Sequence, residues 1–153
     1  MANVTVLPGD PGSPEVCKLL EELDGYLTSL YPAESNHILS PASLRQPNVT
    51  FLVARVAGHV VGCGGFVDYG TYAEIKRMFV LPACRGLRIG RRLLDELEAR
   101  ARTAGLSVAR LETGVSQPEA IRLYENAGYQ RRKPFGNYGE DPLSIFMEKT
   151  LLP

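Results

Sequence analysis

The sequence lacks an excess of charge of one sign, a long apolar run and a leader-like N-terminus. Lysine plus arginine equals aspartate plus glutamate at 17 each, so any basic site must be local rather than the result of net charge. No stretch approaches the roughly 18 apolar residues of a membrane span. The first residues, MANVTVLPGD, have no basic and apolar regions of a signal peptide. We therefore expect a cytoplasmic protein that binds neither nucleic acid nor membrane.

Cysteine content and length narrow the class of domain. The three cysteines, Cys17, Cys63 and Cys84, are an odd number without CxxC or Cys/His metal spacing. We interpret them as reduced thiols and expect no metal site. The chain has 153 residues, of which 44% are hydrophobic and 22% charged. This composition is typical of one globular domain, which we predict to span residues 1–153.

Hydrophobic periodicity predicts strands and helices in a mixed order. Alternation predicts strands at 3–8, 49–56, 59–69, 71–82, 107–113, 129–132 and 143–152. Helical spacing predicts helices at 14–31, 88–104 and 116–128, with residues 32–48 irregular. We expect Pro14 in the first turn of its helix, Gly105 after the end of the second, and a Ser116-x-x-Glu119 capping box at the third. Six residues should form the buried face of the second helix: Ile89, Leu93, Leu94, Leu97, Ala101 and Ala104.

The order of these elements indicates the fold class. Hairpins come first and two βα crossovers follow, without a linker or repeat between them. Such an order is typical of a mixed sheet with helices on its faces. We therefore predict an α/β or α+β domain of three layers.

Four arginines surround the start of the second predicted helix: Arg85, Arg88, Arg91 and Arg92. The helix dipole is already positive there, so these charges are unfavourable unless an anion lies nearby. Unpaired N–H groups at a helix start form an anion site, and Gly86 and Gly90 would let a phosphate approach closely. The alternative is a solvated basic helix face. The spacing matches neither a P-loop nor GxGxxG.

The stretch VLPACRGLRIGRRLLDELEARA resembles the acetyl-CoA-binding motif of the GNAT N-acetyltransferase superfamily, Arg/Gln-x-x-Gly-x-Gly/Ala between a strand and a helix. Here it reads Arg85-Gly86-Leu87-Arg88-Ile89-Gly90, with Arg88 in place of the middle glycine. PEAIRLYENAGYQR resembles a second family motif, A-x-x-L-Y-x-x-x-G-F/Y, and AEIKRMFVLP resembles the family's central strand. The resemblance covers most of residues 49–149. It implies a GNAT-like, mainly antiparallel sheet of six to seven strands with helices on both faces.

The resemblance implies acetyl-CoA as co-substrate and no metal. In the family, loop N–H groups hold the pyrophosphate, and the central strand binds the pantetheine arm and splays from the strand that follows. The cofactor-binding residues implied here are Met78, Phe79, Val80, Arg85, Gly86, Leu87, Arg88, Ile89, Gly90, Arg91, Gln117, Ala120 and Tyr124. By the same resemblance, Tyr124 donates a proton or hydrogen bond to the departing thiolate. The alternative is an aromatic residue that only packs its helix on the sheet.

An amine acceptor must lose a proton before it attacks the thioester. An alkylammonium has a pKa of about 10.4, so deprotonation at pH 7 costs roughly 4–5 kcal/mol, and a nearby base eases it. Glu74 lies where the resemblance places the catalytic glutamate of some members. Even spacing predicts that Glu74 shares a strand face with Lys76, Met78 and Val80, opposite Arg77 and Phe79. Alternatively, Glu74 is a solvent-facing carboxylate paired with Arg77 or Lys76.

The resemblance implies an acceptor pocket built from the first helix, the loop after it and the last hairpin. Candidate acceptor-binding residues are Tyr31, Glu34, His37, Arg77 and Tyr138, with Ser35, Glu140 and Asp141 nearby. Among them, His37 is a second candidate base, and Arg77 pairs with a substrate carboxylate or with Glu74. We predict direct attack by a small primary amine in a ternary complex, with the N–H of Phe79 or a neighbour polarising the carbonyl.

Other functions remain open on the sequence. One is a non-catalytic acyl-CoA-binding regulatory module, and another is an acetyltransferase of protein lysines or N-termini. A third is an interaction module whose residues 85–92 contact an acidic protein or nucleic acid. The protein is expected to be a monomer or a homodimer.

Overall fold

The computed structural model describes residues 3–152. Strands are β1 (Val4–Pro8), β2 (Val49–Val56), β3 (His59–Asp68), β4 (Ala73–Val80), β5 (Val108–Gly114), β6 (Gln130–Arg132) and β7 (Ser144–Thr150). Helices are α1 (Pro14–Leu30), α2 (Pro41–Leu44), α3 (Ile89–Thr103) and α4 (Pro118–Asn126), with 3-10 turns at Ala33–Ser35 and Pro82–Cys84. No helix in this part of the chain is long and apolar enough to cross a membrane.

All seven strands form one sheet in the order β1-β2-β3-β4-β5-β7-β6. Neighbouring strands are antiparallel except β4 and β5, which are parallel. Helices α3 and α4 contribute to the core on one face of the sheet, and α1 contributes to the core on the other. The predicted three-layer, mainly antiparallel fold is confirmed.

Each long helix buries the stripe that its spacing predicts. Helix α1 buries Val16, Leu19, Leu20 and Leu23. Helix α3 buries Ile89, Leu93, Leu94, Leu97 and Ala101, and full burial of such a side chain contributes about 1.5–3 kcal/mol. Ala104 was wrongly assigned to this face: it is the exposed C-cap residue, because α3 ends at Thr103. The buried residues of α3 also include Glu98, which was not predicted to be buried.

The helix ends follow the predicted signals at two positions and depart from them at a third. Pro14 is in the first turn of α1, and Gly105 follows α3 at φ +83°. The capping box proposed for α4 is wrong. Gln117 occupies the N-cap without a side-chain cap bond, and Glu119 instead accepts a hydrogen bond from Arg85 at 3.1 Å.

A β-bulge in β4 re-aims the side chains on which the site depends. Arg77 has φ +60°, and the β3–β4 register shifts between Cys63 and Gly65. Below the bulge, Glu74 contacts Tyr138 on the α1 face. Above it, Phe79 joins the α1 core, whereas Met78 and Val80 pack against the α3 core. The predicted common face of Glu74, Lys76, Met78 and Val80 is therefore wrong, because an extra residue reverses the alternation.

Strands β4 and β5 separate soon after they begin. They pair only where Ala73, Glu74 and Ile75 lie beside Ala109, Arg110 and Leu111. Beyond Ile75 the two strands share no ladder partners, and side chains of α1 and α4 line the space that opens there. The separation that the resemblance implies is thus present, and it positions the site described next.

Candidate functional site

Two adjoining cavities open where β4 and β5 separate. The first, here called the cleft, has a volume of about 450 Å³ and lies between β4, the turn before α3, and α4. The second, here called the pocket, has a volume of about 120 Å³ and lies between α1, the loop after it, and β5. Five residues line both cavities: Leu23, Met78, Gln117, Ala120 and Tyr124. The site is therefore two connected compartments with Tyr124 at their junction.

The turn at one end of the cleft leaves the start of α3 open. Arg88 is the N-cap residue in the left-handed conformation, with φ 61° and ψ 24°, and no side chain caps the helix. Gly86 also has a positive φ, of 88°. The first N–H groups of α3 therefore have no intrahelical acceptor. Together with the helix dipole, they form a local site for an anion.

The four arginines around this turn differ in their contacts. Arg85 donates to Glu119 at 3.1 Å, which ties the turn to α4. Arg91 pairs with Asp95 at 2.9 Å, and Arg92 donates to the Val4 carbonyl at 2.6 Å. The Arg88 side chain makes no hydrogen bond or ion pair with residues 3–152. Arg92 is thus committed to β1, while Arg88 is the arginine most available to a ligand.

The cleft contains all but one of the residues predicted to bind the cofactor. Met78, Phe79, Val80, Arg85, Gly86, Arg88, Ile89, Gly90, Arg91, Gln117, Ala120 and Tyr124 line it. Leu87 does not line it and is 53% exposed. The sequence interpretation missed Leu23, Tyr26, Cys84, Glu119 and Leu123, which also line the cleft. Helical spacing from Ala120 and Tyr124 could have indicated Leu123, whereas no sequence signal brings α1 to this place.

Tyr124 is one of the five residues that line both compartments. Its side chain is buried, and its ring packs edge-on against Tyr129 with centroids 5.8 Å apart. Burial raises the pKa of its phenol, so the hydroxyl remains protonated at neutral pH. That hydroxyl makes no hydrogen bond with any described residue. It is therefore a neutral donor available to a ligand group at the junction.

His37 and Glu112 form an acid–base pair on the wall of the pocket. The Nδ1 atom of His37 lies 2.9 Å from Glu112 Oε2, and the same oxygen accepts from Ser144 at 2.8 Å. A neutral imidazole that donates from Nδ1 keeps its Nε2 lone pair free. Glu112 was not predicted. Its spacing of two residues from Arg110 on β5 could have indicated it, because side chains two residues apart on a strand lie on the same face.

Glu74 lies outside both cavities. It is 3% exposed and accepts a hydrogen bond from Tyr138 at 2.5 Å, with Lys76 Nζ 3.6 Å away. Burial, reinforced by Glu74, raises the pKa of the Tyr138 phenol. Lys76 also donates to Tyr138 and to the carbonyl of His37. The alternative of a solvent-facing Glu74 is wrong, and so is its pairing with Arg77, whereas the alternative pairing with Lys76 is present. The position of Glu74 argues against a direct role as base.

Tyr31 bridges the first helix and the start of α4. Its hydroxyl donates to Gln117 Oε1 and accepts from the Ser116 N–H, both at 3.1 Å. Burial raises its pKa. A Cβ atom on Gly114 would lie 1.9 Å from this hydroxyl oxygen, so only glycine leaves room for the bridge. The structure thus brings Tyr31 to the pocket as predicted.

The remaining acceptor candidates divide between the pocket and the surface. Ser35 lines the pocket and donates to Asp141 at 2.6 Å, which ties the loop after α1 to the segment before β7. Glu34 is exposed and lines neither cavity. Arg77 lines the pocket, but its ion-pair partner is Asp24 at 2.5 Å. Its predicted alternative partner, Glu74, is not used.

Comparisons with known proteins show the family and the fold of this chain. A family model described as Acetyltransferase (GNAT) family matches residues 16–129. An IAA acetyltransferase from Azospirillum brasilense is 55% identical over 99% of this chain and 100% of its own length. A Klebsiella pneumoniae crystal structure assigned as an acyl-CoA N-acyltransferase has a TM-score of 0.81 at 38% identity and covers 99% of both chains. PaiA N-acetyltransferase from Thermoplasma acidophilum, solved in complex with coenzyme A, shares the fold, with a TM-score of 0.78 at 17% identity over 97% of this chain and 99% of its own.

Proposed function

The chain belongs to the GNAT acetyltransferase family, and we propose that it moves the acetyl group of acetyl-CoA to a primary amine of a small molecule. The amine attacks the thioester directly while both substrates are bound. The observation that carries this proposal is the junction at Tyr124, between a cleft with an anion-binding turn and a pocket with ionisable side chains.

The cleft is the proposed site of acetyl-CoA. The N–H groups at the start of α3 would hold the pyrophosphate, with the Arg88 guanidinium adding a charge-assisted contact. The pantetheine arm would follow the edge of β4 that lacks a strand partner beyond Ile75. A protein of similar fold was solved in complex with coenzyme A, which supports coenzyme A as a ligand.

His37 is the proposed general base, with Glu112 as the group that positions it. A base must reach the amine directly or through one water, and both residues line the pocket, whereas Glu74 does not. Glu112 would hold the Nδ1–H tautomer and stabilise the imidazolium that forms after proton transfer. In this proposal, Glu74 orients Tyr138 and Lys76 around the His37 loop instead of accepting the proton.

Main-chain and phenol donors would stabilise the reacting thioester. The N–H of Leu81 donates to the Val61 carbonyl. Because N–H groups two residues apart on a strand point to the same side, the N–H of Phe79 also points toward β3. The N–H groups of Met78 and Val80 then point toward the opening, and we propose Met78 rather than Phe79 as the carbonyl donor. Because burial raises the pKa of Tyr124, its benefit would be a hydrogen bond to the developing thiolate rather than full proton transfer.

The test combines binding with turnover. Calorimetry should detect coenzyme A, and a thiol-release assay should detect turnover on a panel of amino acids, polyamines, aminoglycosides, a lysine peptide and IAA, the compound in the name of the 55%-identical relative. His37→Gln should lower kcat about 100-fold while the affinity for coenzyme A is unchanged. No affinity for coenzyme A would refute the proposal. Binding without turnover would indicate a regulatory module, and turnover on the peptide alone a protein acetyltransferase.

A further inference from the structure

Arg77 is a buried charge whose bonding capacity is largely unused. Its side chain is 3% exposed. Within residues 3–152 its guanidinium makes one hydrogen bond, from Nη1 to Asp24 Oδ1 at 2.5 Å. Its Nε is buried and has no hydrogen-bond partner among these residues. A guanidinium has five N–H donors, and buried donors are nearly always satisfied, so this arrangement indicates a missing acceptor.

The backbone holds Arg77 in this place at a cost. Its φ of +60° is in the left-handed region, which costs a non-glycine residue about 1–2 kcal/mol. The bulge turns the side chain toward α1, on the pocket side of Tyr124: Arg77 lines the pocket but not the cleft, whereas Met78 lines both. The guanidinium therefore lies at the pocket and not at the cleft, which is the proposed site of acetyl-CoA.

The other walls of the pocket indicate the rest of the ligand. Leu27, Ile75 and Leu143 contribute apolar surface, while His37 and Glu112 contribute the acid–base pair. The Asp24 side chain is 43% exposed, so solvent weakens its hold on the guanidinium. A planar guanidinium can bind a second carboxylate through its remaining donors.

We propose that the acceptor is an amine that also carries a carboxylate on an apolar body, and that Arg77 binds this carboxylate. The inference rests on the proposed function and names the substrate class of the same pocket. Arg77 would act as a specificity residue: it would bind the carboxylate of the acceptor, and the amine of the acceptor would remain free to reach His37.

The test compares matched acceptors that differ only in the acid group: tyrosine with tyramine, phenylalanine with phenethylamine, and 6-aminohexanoate with hexylamine. For the natural chain we expect kcat/KM to favour the acid member of at least one pair. In Arg77→Gln this acid-to-amine ratio should fall about 10- to 100-fold, the range for hydrogen bonds to charged groups. The ratio is measured within one preparation, so a partly unfolded variant does not distort it.

Asp24→Asn is the matched control, since it removes the negative charge of the internal partner and keeps the guanidinium. We expect its acid-to-amine ratio to stay the same or rise. The inference would be overturned if Arg77→Gln and the natural chain had equal acid-to-amine ratios, or if the ratio fell equally in both variants. Arg77 would then serve only to hold β4 to α1 through Asp24. Preference for the amines in the natural chain would overturn it too, while their turnover would leave the proposed function standing. No turnover on any panel member would count against the proposed function instead.

Discussion

Arg88 stands in a backbone conformation that glycine adopts at least cost. It has φ 61° at the N-cap of α3, where a non-glycine residue loses about 1–2 kcal/mol. The loop nevertheless keeps the shape that leaves the first N–H groups of the helix open. The arginine therefore combines two roles, a strained bend and a positive charge without a partner among residues 3–152, and substitution can separate them.

We expect Arg88→Gly to be more stable than Arg88→Ala by up to about 1 kcal/mol. Both variants lack the charge, but only glycine relieves the backbone strain. Both should weaken coenzyme A binding by a similar factor of about 10. Urea denaturation and calorimetry measure the two effects. If the alanine variant were the more stable of the two, the strain assigned to Arg88 would be wrong.

Tyr124 allows a conservative test of the junction between the compartments. Tyr124→Phe keeps the buried ring and removes only the hydroxyl, so the fold and the affinity for coenzyme A should be preserved. We expect kcat to fall about 100-fold, the cost of removing one preorganised donor from developing charge. Steady-state kinetics gives the result. An unchanged kcat would show that the hydroxyl takes no part in the reaction.

At the scale of single elements, α3 is held to the end of the sheet by a buried carboxylate. Glu98 is 2% exposed, and it accepts hydrogen bonds from Lys149 at 2.7 Å and Tyr129 at 2.9 Å. Arg102 lies 3.6 Å away. A buried charge is tolerated here because its partners converge on it from β7 and from the segment before β6.

Removal of the Glu98 charge should destabilise the protein by about 3 kcal/mol, because Glu98→Gln leaves Lys149 without its partner. Glu96→Gln, on the exposed side of the same helix, breaks only the Arg100 pair and should cost less than about 1 kcal/mol. Urea denaturation midpoints compare the two variants. Equal losses would mean that the network around Glu98 adds no more than a surface pair.

Local patterns predict each element better than they predict its fine geometry. The stripe on α1 and the end of α3 at Gly105 follow from spacing and from glycine's freedom at positive φ. The bulge at Arg77 does not follow from the sequence, because alternation carries no signal for an extra residue. The prediction that Glu74 shares a face with Met78 and Val80 was wrong for this reason. Glu98 was overlooked for a similar reason: only its partners, which are distant in sequence, explain its burial.

For the whole molecule, the order of elements and the position of the cleft were predictable, but the pocket was only partly so. Motifs contiguous in sequence, such as residues 85–91, form one wall of the cleft. The pocket instead needs α1, β5 and the loop at His37 to meet. The pairing of His37 with Glu112 joins residues that are 75 positions apart, and no periodicity in one segment reports such a contact.

Acid stability of the whole sheet should depend on Glu148 in β7. Burial alone would raise its pKa, but hydrogen bonds from Arg110 and Arg132 lower it below its ordinary value. The folded state then binds fewer protons than the unfolded state, so this contribution is present near pH 7. It is lost as pH falls from 4.5, the ordinary value, through the lowered one.

We therefore expect Glu148→Gln to reduce stability at pH 7 by about 1 kcal/mol or less, since the group is partly exposed. The difference from the natural chain should vanish below the lowered pKa. Urea denaturation at a series of pH values measures it, with Glu140→Gln, an exposed carboxylate, as the control. A difference that grows as the pH falls would contradict the assigned sign.

The early divergence of β4 from β5 also bears on how the protein is made. It divides the sheet into two leaves, β1–β4 and β5–β7, and the first leaf pairs only strands that are neighbours in sequence. That leaf can assemble while the ribosome is still adding the second. The pocket is complete only after Leu143 has been added, because residues of both leaves line it. A newly synthesised chain thus contains every residue that lines the cleft, the last of which is Tyr124, before it contains all those that line the pocket.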